Sequence, residues 1–216
     1  ALNYSVKGDG SLLSLRLEMS ADGHLGELEL SRLRLHFTGE RYISQMLYLS
    51  LLRNLESIEL IPLDGVGNPI DGANGVPMAF KMPGDRVQPV GFAEEEALIP
   101  YPLNTFRGYR FLQEYFAFQD KFLFVDINGL DLLKALPADI LKEVRGLELR
   151  FDIRKSGILR MRPTLDNVKL HCTPIVNLFR HDALPIRLDG KQDEYLLLPA
   201  KFDQESCGVF SVESVT

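Results

Sequence analysis

The feature that most constrains the fold is the stretch over residues 101–130, YPLNTFRGYRFLQEYFAFQDKFLFVDINGL, which sets nine aromatic side chains along one helix-then-strand unit. From Thr105 the pattern is helical: Phe106, Tyr109, Leu112 or Gln113, and Phe116 recur on one side, and Arg110 and Glu114 form an i,i+4 pair. Phe122, Phe124 and Ile127 then predict a buried strand that ends at Asn128 and Gly129. One face of a helix cannot bury Tyr101, Phe106, Tyr109, Phe111, Tyr115, Phe116 and Phe118 together. Either the unit is sandwiched in a large core, the favoured reading, or part of it meets another chain.

The rest of the chain shows short periodic segments. Leu13, Leu15, Leu17 and Met19 alternate with Arg16 and Glu18 over residues 11–19, the period of a half-buried strand. Residues 27–38 continue as strand with a phase slip at Ser31 and Arg32, read as a β-bulge. The ADGHLG turn cluster between the two predicts a hairpin. Ile43, Leu47, Leu51 and Leu55, widened by Met46 and Leu52, predict an amphipathic helix over residues 40–54, with Thr38 or Gly39 at the cap position. Strand spacing returns at Ile58 and Leu60. Residues 64–91 are rich in Gly and Pro and read as loops around a short strand at 76–80. Later come short helices at 132–136 and 138–144, broken by Pro137. Strands at 146–153 and 158–161 flank a turn at Lys155, Ser156 and Gly157. Further strands are predicted at 168–171, 184–188 and 194–198, and residues 207–215 alternate as if closing a sheet.

No regular strand–helix–strand alternation runs through these elements, which disfavours a doubly wound sheet. The expected class is α+β: mostly antiparallel short strands in two sandwich-like subdomains, with two principal amphipathic helices. The expected division lies near residues 94–102. Residues 1–98 would form a strand-helix-strand part with a long Gly/Pro-rich loop, and 99–216 a helix plus antiparallel strands.

Charge falls unevenly along the chain. Residues 1–98 hold 8 Lys and Arg against 14 Asp and Glu, and residues 99–216 hold 16 of each, for the net −6. An acidic chain gains little from phosphate contacts, so no nucleic-acid partner is expected. No apolar run approaches the ~20 residues of a membrane span, and no membrane insertion is expected. The start, ALNYSVKGDG, has neither the basic nor the apolar region of a signal peptide and lacks Met, and reads as a piece of a longer protein. Cys172 and Cys207 are too few for a disulfide framework and read as half-buried thiols in a reducing cytoplasm.

Catalytic chemistry finds little support in the motifs. GVGNPIDG at residues 65–72 lacks the third glycine of a dinucleotide loop and is interrupted by Pro69. His171 and Cys172, with His181, Asp182 and distant Cys207, are the best local set for a metal, but neighbours on a strand point opposite ways. His24 in a turn and His36 on the polar side of a strand read as solvated. Neither cysteine has a local activating neighbour, and there is no GxSxG elbow. No catalytic, cofactor-binding or metal-binding residues are assigned.

Surface chemistry points instead to contacts. If Phe151, Ile153, Leu159 and Met161 face inward on a hairpin over residues 150–162, Arg150, Asp152, Arg154, Arg160 and Arg162 share the outward side. Guanidinium is favoured over ammonium at interfaces. The plainer reading is a solvated sheet edge that discourages aggregation.

Two segments carry a family resemblance. GYRFLQEYFAFQDKFLFVDINGL at residues 108–130 and LHCTPIVNLFRHDALPIRLD at residues 170–189 are similar to recurrent segments of the TssF family (also ImpG or VasA), baseplate subunits of the type VI secretion system. Gln119 stands where relatives commonly carry proline. The resemblance implies a central fragment of a non-catalytic wedge component. It further implies assembly with TssG and the TssK adaptor, a second TssF copy nearby, a VgrG spike at the centre, and a cytoplasmic place docked at the inner-membrane-associated baseplate. The interface candidates are Arg107, Arg110, Arg150, Arg154, Arg160, Arg162, Asn177, Phe179 and Arg180. A carbohydrate- or protein-binding β module and a hydrolase with residues converging in space are the rival readings; the absence of Trp counts against a sugar platform.

Overall fold

The computed structural model describes the chain except residues 8–9, 21–22, 73, 102–104, 155–161, 188–189, 191–192, 202–206 and 216. Two compact units divide it, Ala1–Pro174 and Ile175–Thr216.

The first unit is α+β with two antiparallel sheets. The five-stranded sheet comprises β1 (Leu2–Lys7), β2 (Gly10–Glu18), β4 (Leu55–Leu63), β5 (Phe80–Pro83) and β8 (Gly146–Ile153), in the order β1-β2-β8-β4-β5. The four-stranded sheet comprises β3 (Arg32–Phe37), β6 (Val87–Pro89), β7 (Phe124–Asn128) and β9 (Val168–Lys169), in the order β6-β7-β3-β9. The helices are α1 (Arg41–Arg53), α2 (Gly108–Ala117) and α3 (Ala138–Glu143).

Alternation decides which strand faces are buried. On β8, Leu147, Leu149, Phe151 and Ile153 enter the core, joined by Leu13 and Leu15 of β2 and by Ile58 and Leu60 of β4. From the other sheet come Leu35 and Phe37 of β3, Val87 of β6, and Val125 and Ile127 of β7. Helix α1 lies against strands of both sheets, β3 and β6 on one and β4 and β8 on the other. Its stripe of Ile43, Leu47 and Leu51, at four-residue steps, is buried among them. The two sheets therefore share one hydrophobic core.

Several expectations change here. Residues 31–32 mark the beginning of β3 rather than a bulge, and β2 and β3 belong to different sheets, so they form no hairpin. The partner of β2 on that side of the sequence is β1, with Leu2 opposite Leu15. The compact units also part well after residues 94–102. β8 lies between β2 and β4, and β7 between β3 and β6, so each sheet draws strands from both sides of that expected boundary. A hairpin at residues 150–162 would need a free edge on β8, but Ser11 of β2 and Leu55 of β4 both pair with Ile153. Its turn and second strand, residues 155–161, lie outside the described residues.

The second unit carries little regular structure among its described residues. Ala183 and Pro199 form an isolated antiparallel bridge. The Leu184 N–H donates to the Leu198 carbonyl at 2.8 Å, and the Ala200 N–H to the Asp182 carbonyl at 2.9 Å. This is what remains of the strands expected at 184–188 and 194–198. Residues 207–215 form no strand.

Candidate protein interface

Helix α2 is amphipathic in the reverse sense: its charged side faces the protein body. Its buried residues are Arg110 and Glu114. Residues four apart share a helix side, and the structure turns that side toward Lys121, in the short 3-10 turn that follows α2. The opposite side presents Phe106 (74% exposed), Tyr109, Leu112 and Phe116 (77% exposed), flanked by Tyr115 and Phe118. Six large apolar side chains in and beside one ten-residue helix make a patch of the kind that marks a contact surface on a soluble protein. The favoured expectation, burial of the aromatic unit in a core, holds for Phe122 and Phe124 and fails for α2.

The underside explains why this orientation is stable. Glu114 and Lys121 are each 1% exposed and form an ion pair. The other carboxylate oxygen of Glu114, Oε1, accepts the backbone N–H groups of Leu98 at 2.8 Å and Ile99 at 3.2 Å. Burial by itself would raise the Glu114 pKa. The Lys121 hydrogen bond and the two N–H groups outweigh it, and the carboxyl is held below its usual range. Arg110, 6% exposed, donates from Nη2 to the Ala93 carbonyl at 3.3 Å, while its Nε has no hydrogen-bond partner among the described residues.

The loop that receives these bonds is itself anchored. Glu96 Oε2 accepts the N–H of Gly91 at 2.7 Å and of Ala93 at 3.3 Å, and its Oε1 meets Arg34 at 3.2 Å. Arg34 also grips Asp126 through two hydrogen bonds of 2.8 Å, directly across the β3–β7 pair. Hydrogen bonding to Asp126 raises the Arg34 pKa further. Gly91 has φ +102°, and a Cβ there would stand 3.2 Å from the Lys121 carbonyl, so the turn favours glycine. Within the acidic run at 94–96, Glu96 thus organises the loop.

Beside α2 lies an open apolar groove of about 420 Å³, lined chiefly by Tyr48, Phe92, Phe111, Tyr115, Phe122 and Leu123. Phe92 meets Phe111 and Phe122 at ring-centroid distances of 5.8 and 5.2 Å. Arg41 and Gln119, hydrogen-bonded to each other, are at its margin.

The sequence-derived candidates do not form one cluster. Arg107 is exposed at the head of α2 and pairs with Glu94 at 3.2 Å. Arg110 is buried and works as part of the support. Arg150 on β8 is half-buried: its Nε lies 2.8 Å from Glu148 Oε1, while Arg16 takes Oε2 at 2.9 Å. It thus serves to neutralise a buried carboxylate on a central strand, which replaces the sheet-edge reading. Arg154 is exposed and paired with Glu56, Arg162 is exposed, and Arg160 lies outside the described residues. Asn177, Phe179 and Arg180 are exposed in the second unit, where Arg180 pairs with Glu213 at 3.0 Å.

Two histidines differ from expectation. His36 is half-buried and stacked on Phe124 with ring centroids 4.2 Å apart, and burial lowers its pKa. His24 is also partly buried, with Nε2 3.2 Å from Glu27. His171 takes a left-handed backbone conformation with φ 57° and is exposed beside half-buried Cys172. Among the described residues no group of three or more His, Cys, Asp or Glu is disposed to hold a metal, and no helix is long and apolar enough to cross a membrane.

Comparison with known proteins gives a consistent result. The family described as type VI secretion system, TssF, matches residues 2–216. Type VI secretion system component TssF1 of Pseudomonas aeruginosa PAO1 is 28% identical over 207 residues, covering 94% of this chain and 30% of that protein. A chain of the TssK-TssF-TssG baseplate subcomplex, determined by cryo-electron microscopy, superimposes with a TM-score of 0.67 at 30% identity, over 93% of this chain and 35% of that one. The chain therefore spans about a third of the length of each.

Proposed function

The chain belongs to the TssF family of the type VI secretion system, and from that premise we propose that it is a non-catalytic structural part of the baseplate wedge, assembling with TssG and TssK. A second TssF copy and the VgrG spike complete the surroundings in this reading, with the assembly cytoplasmic and docked at the inner membrane. The work is mechanical: binding energy between subunits holds the wedge, and no bond is made or broken.

The observation that carries the reading is the outward aromatic side of α2. A protein that acts alone gains nothing from exposing Phe106, Tyr109 and Phe116 while burying Arg110, Glu114 and Lys121. A protein built for assembly gains anchors. Stable interfaces need more than about 1,000 Å² of buried area and draw most of their energy from a few aromatic or Arg residues. Phe106, Tyr109 and Phe116 supply the aromatic kind, with Leu112 beside them and TssG as their partner. Arg107, Arg154, Arg162, Asn177, Phe179 and Arg180 are secondary contacts in the same reading.

Co-expression of this chain with TssG and TssK, followed by purification through a tag on TssG, tests the proposal. Retention of the chain is the expected result. Its loss under conditions where TssG and TssK stay together would overturn the proposal for these residues.

A further inference from the structure

We propose that α2 is a latched element, able to lift from the protein body while both sheets stay folded, with Glu114 and Lys121 as the latch. The proposal concerns the conformational behaviour of the face assigned above to assembly. It rests on that reading only for its biological use.

No α2 residue belongs to the hydrophobic core, whereas α1 contributes Ile43, Leu47 and Leu51. An element seated by apolar burial opens only when the core opens. An element seated by polar contacts at the periphery can open at lower free energy, as a unit of its own. The attachments of α2 are mostly of the second kind. Among the described residues they are the Glu114–Lys121 pair, the two N–H groups on Glu114 Oε1, the bond from Arg110 to Ala93 and, at the helix head, the exposed Arg107–Glu94 pair. The apolar share is a fringe of ring contacts from Phe111 and Tyr115 to Phe92 and Phe122.

The chemistry of the latch favours a two-position device. A buried ion pair recovers in mutual attraction roughly what it loses in hydration, so its net contribution to closure is small. Its geometric demand is large, because one placement of α2 satisfies Lys121 and both backbone N–H groups at once. On opening, Arg110, Glu114 and Lys121 regain water, including the Arg110 Nε, which has no partner among the described residues when closed. The outward aromatic side is already exposed, so lifting α2 adds little apolar surface to solvent. A partner that grips this side can then move the helix without disturbing the sheets.

Amide hydrogen exchange on the purified chain tests this without any partner, so its failure is distinguishable from failure of the assembly reading. In the wild type, the N–H groups of residues 112–117 are expected to exchange at least about a hundredfold faster than those of β4 and β8. Ile58→Val, which thins the core, should speed the β4 and β8 amides about 2- to 10-fold and leave the α2 amides unchanged. Glu114→Gln, which keeps the shape but strands Lys121, should fold and speed α2 exchange about tenfold or more. A common rate for α2 and β8 that rises together with Ile58→Val would overturn the proposal. So would a Glu114→Gln chain that fails to fold, or one with unchanged α2 exchange.

Discussion

Glu114 carries a negative charge where water is excluded, and it is tolerated because Lys121 and two backbone N–H groups take the place of solvent. Its pKa is lower folded than unfolded, which fixes the sign of its pH effect. Its contribution is complete above the ordinary Glu value of about 4.3 and is lost as pH falls through the lower folded value. Melting temperature against pH should therefore drop below that point. Glu114→Gln should be less stable at neutral pH and lack this part of the acid drop. His36 acts higher up the scale. Burial against Phe124 keeps its ring neutral, so its folded pKa lies below the ordinary value of about 6.5. As pH falls below that, the unfolded chain takes up the proton first and the folded state loses ground. His36→Phe keeps the stack and removes the proton site. Its melting temperature should gain on the wild type as pH drops from 7 toward 5, and curves that stay parallel would refute this.

At the scale of the element, α1 and α2 show what periodicity reveals and what it leaves open. Both helices were legible, as were β2, β4, β7 and β8, because their apolar residues recur at 3.6 or 2. Periodicity locates the axis of an amphipathic helix but carries no sign. The rule that apolar sides face inward places α1 correctly and α2 the wrong way round. The missed signal was the alignment of Arg110 and Glu114 on one helix side with Lys121 beyond the helix, which gives Glu114 its partner out of water in place of the expected i,i+4 pair with Arg110. The two helices should respond oppositely to substitution. Leu47→Ala on α1 removes a fully buried side chain and should cost about 2–5 kcal/mol. Phe106→Ser just before α2 and Phe116→Ser on it remove exposed rings and should change stability by no more than about 0.5 kcal/mol each. Denaturant titration of the three variants measures both. An α2 variant as damaging as Leu47→Ala would mean that the aromatic side is buried after all.

At the scale of the whole molecule, the class α+β and the antiparallel preference were readable, but the pairing of strands was not. Arg16 on β2 meets Glu148 on β8 across 132 positions of sequence, and no local pattern announces such a partner. The expected boundary near residues 94–102 failed for the same reason. Composition shifts there from acidic to balanced, yet β7 and β8 return to pair with strands made long before. Arg150 is a different case: its partner Glu148 stands only two residues before it on the same side of β8, a local signal that its reading as a free surface cation overlooked. The family was legible through the segments at 108–130 and 170–189, whose resemblance the family match bears out. The central claim joins that family to one surface, the outward side of α2. It is tested most directly by measuring the affinity of the chain for TssG with TssK, as wild type and as the Phe106→Ser/Tyr109→Ser/Phe116→Ser variant. If α2 carries the contact, affinity falls at least about thirtyfold while the fold is kept. Equal affinity for the two proteins would contradict it.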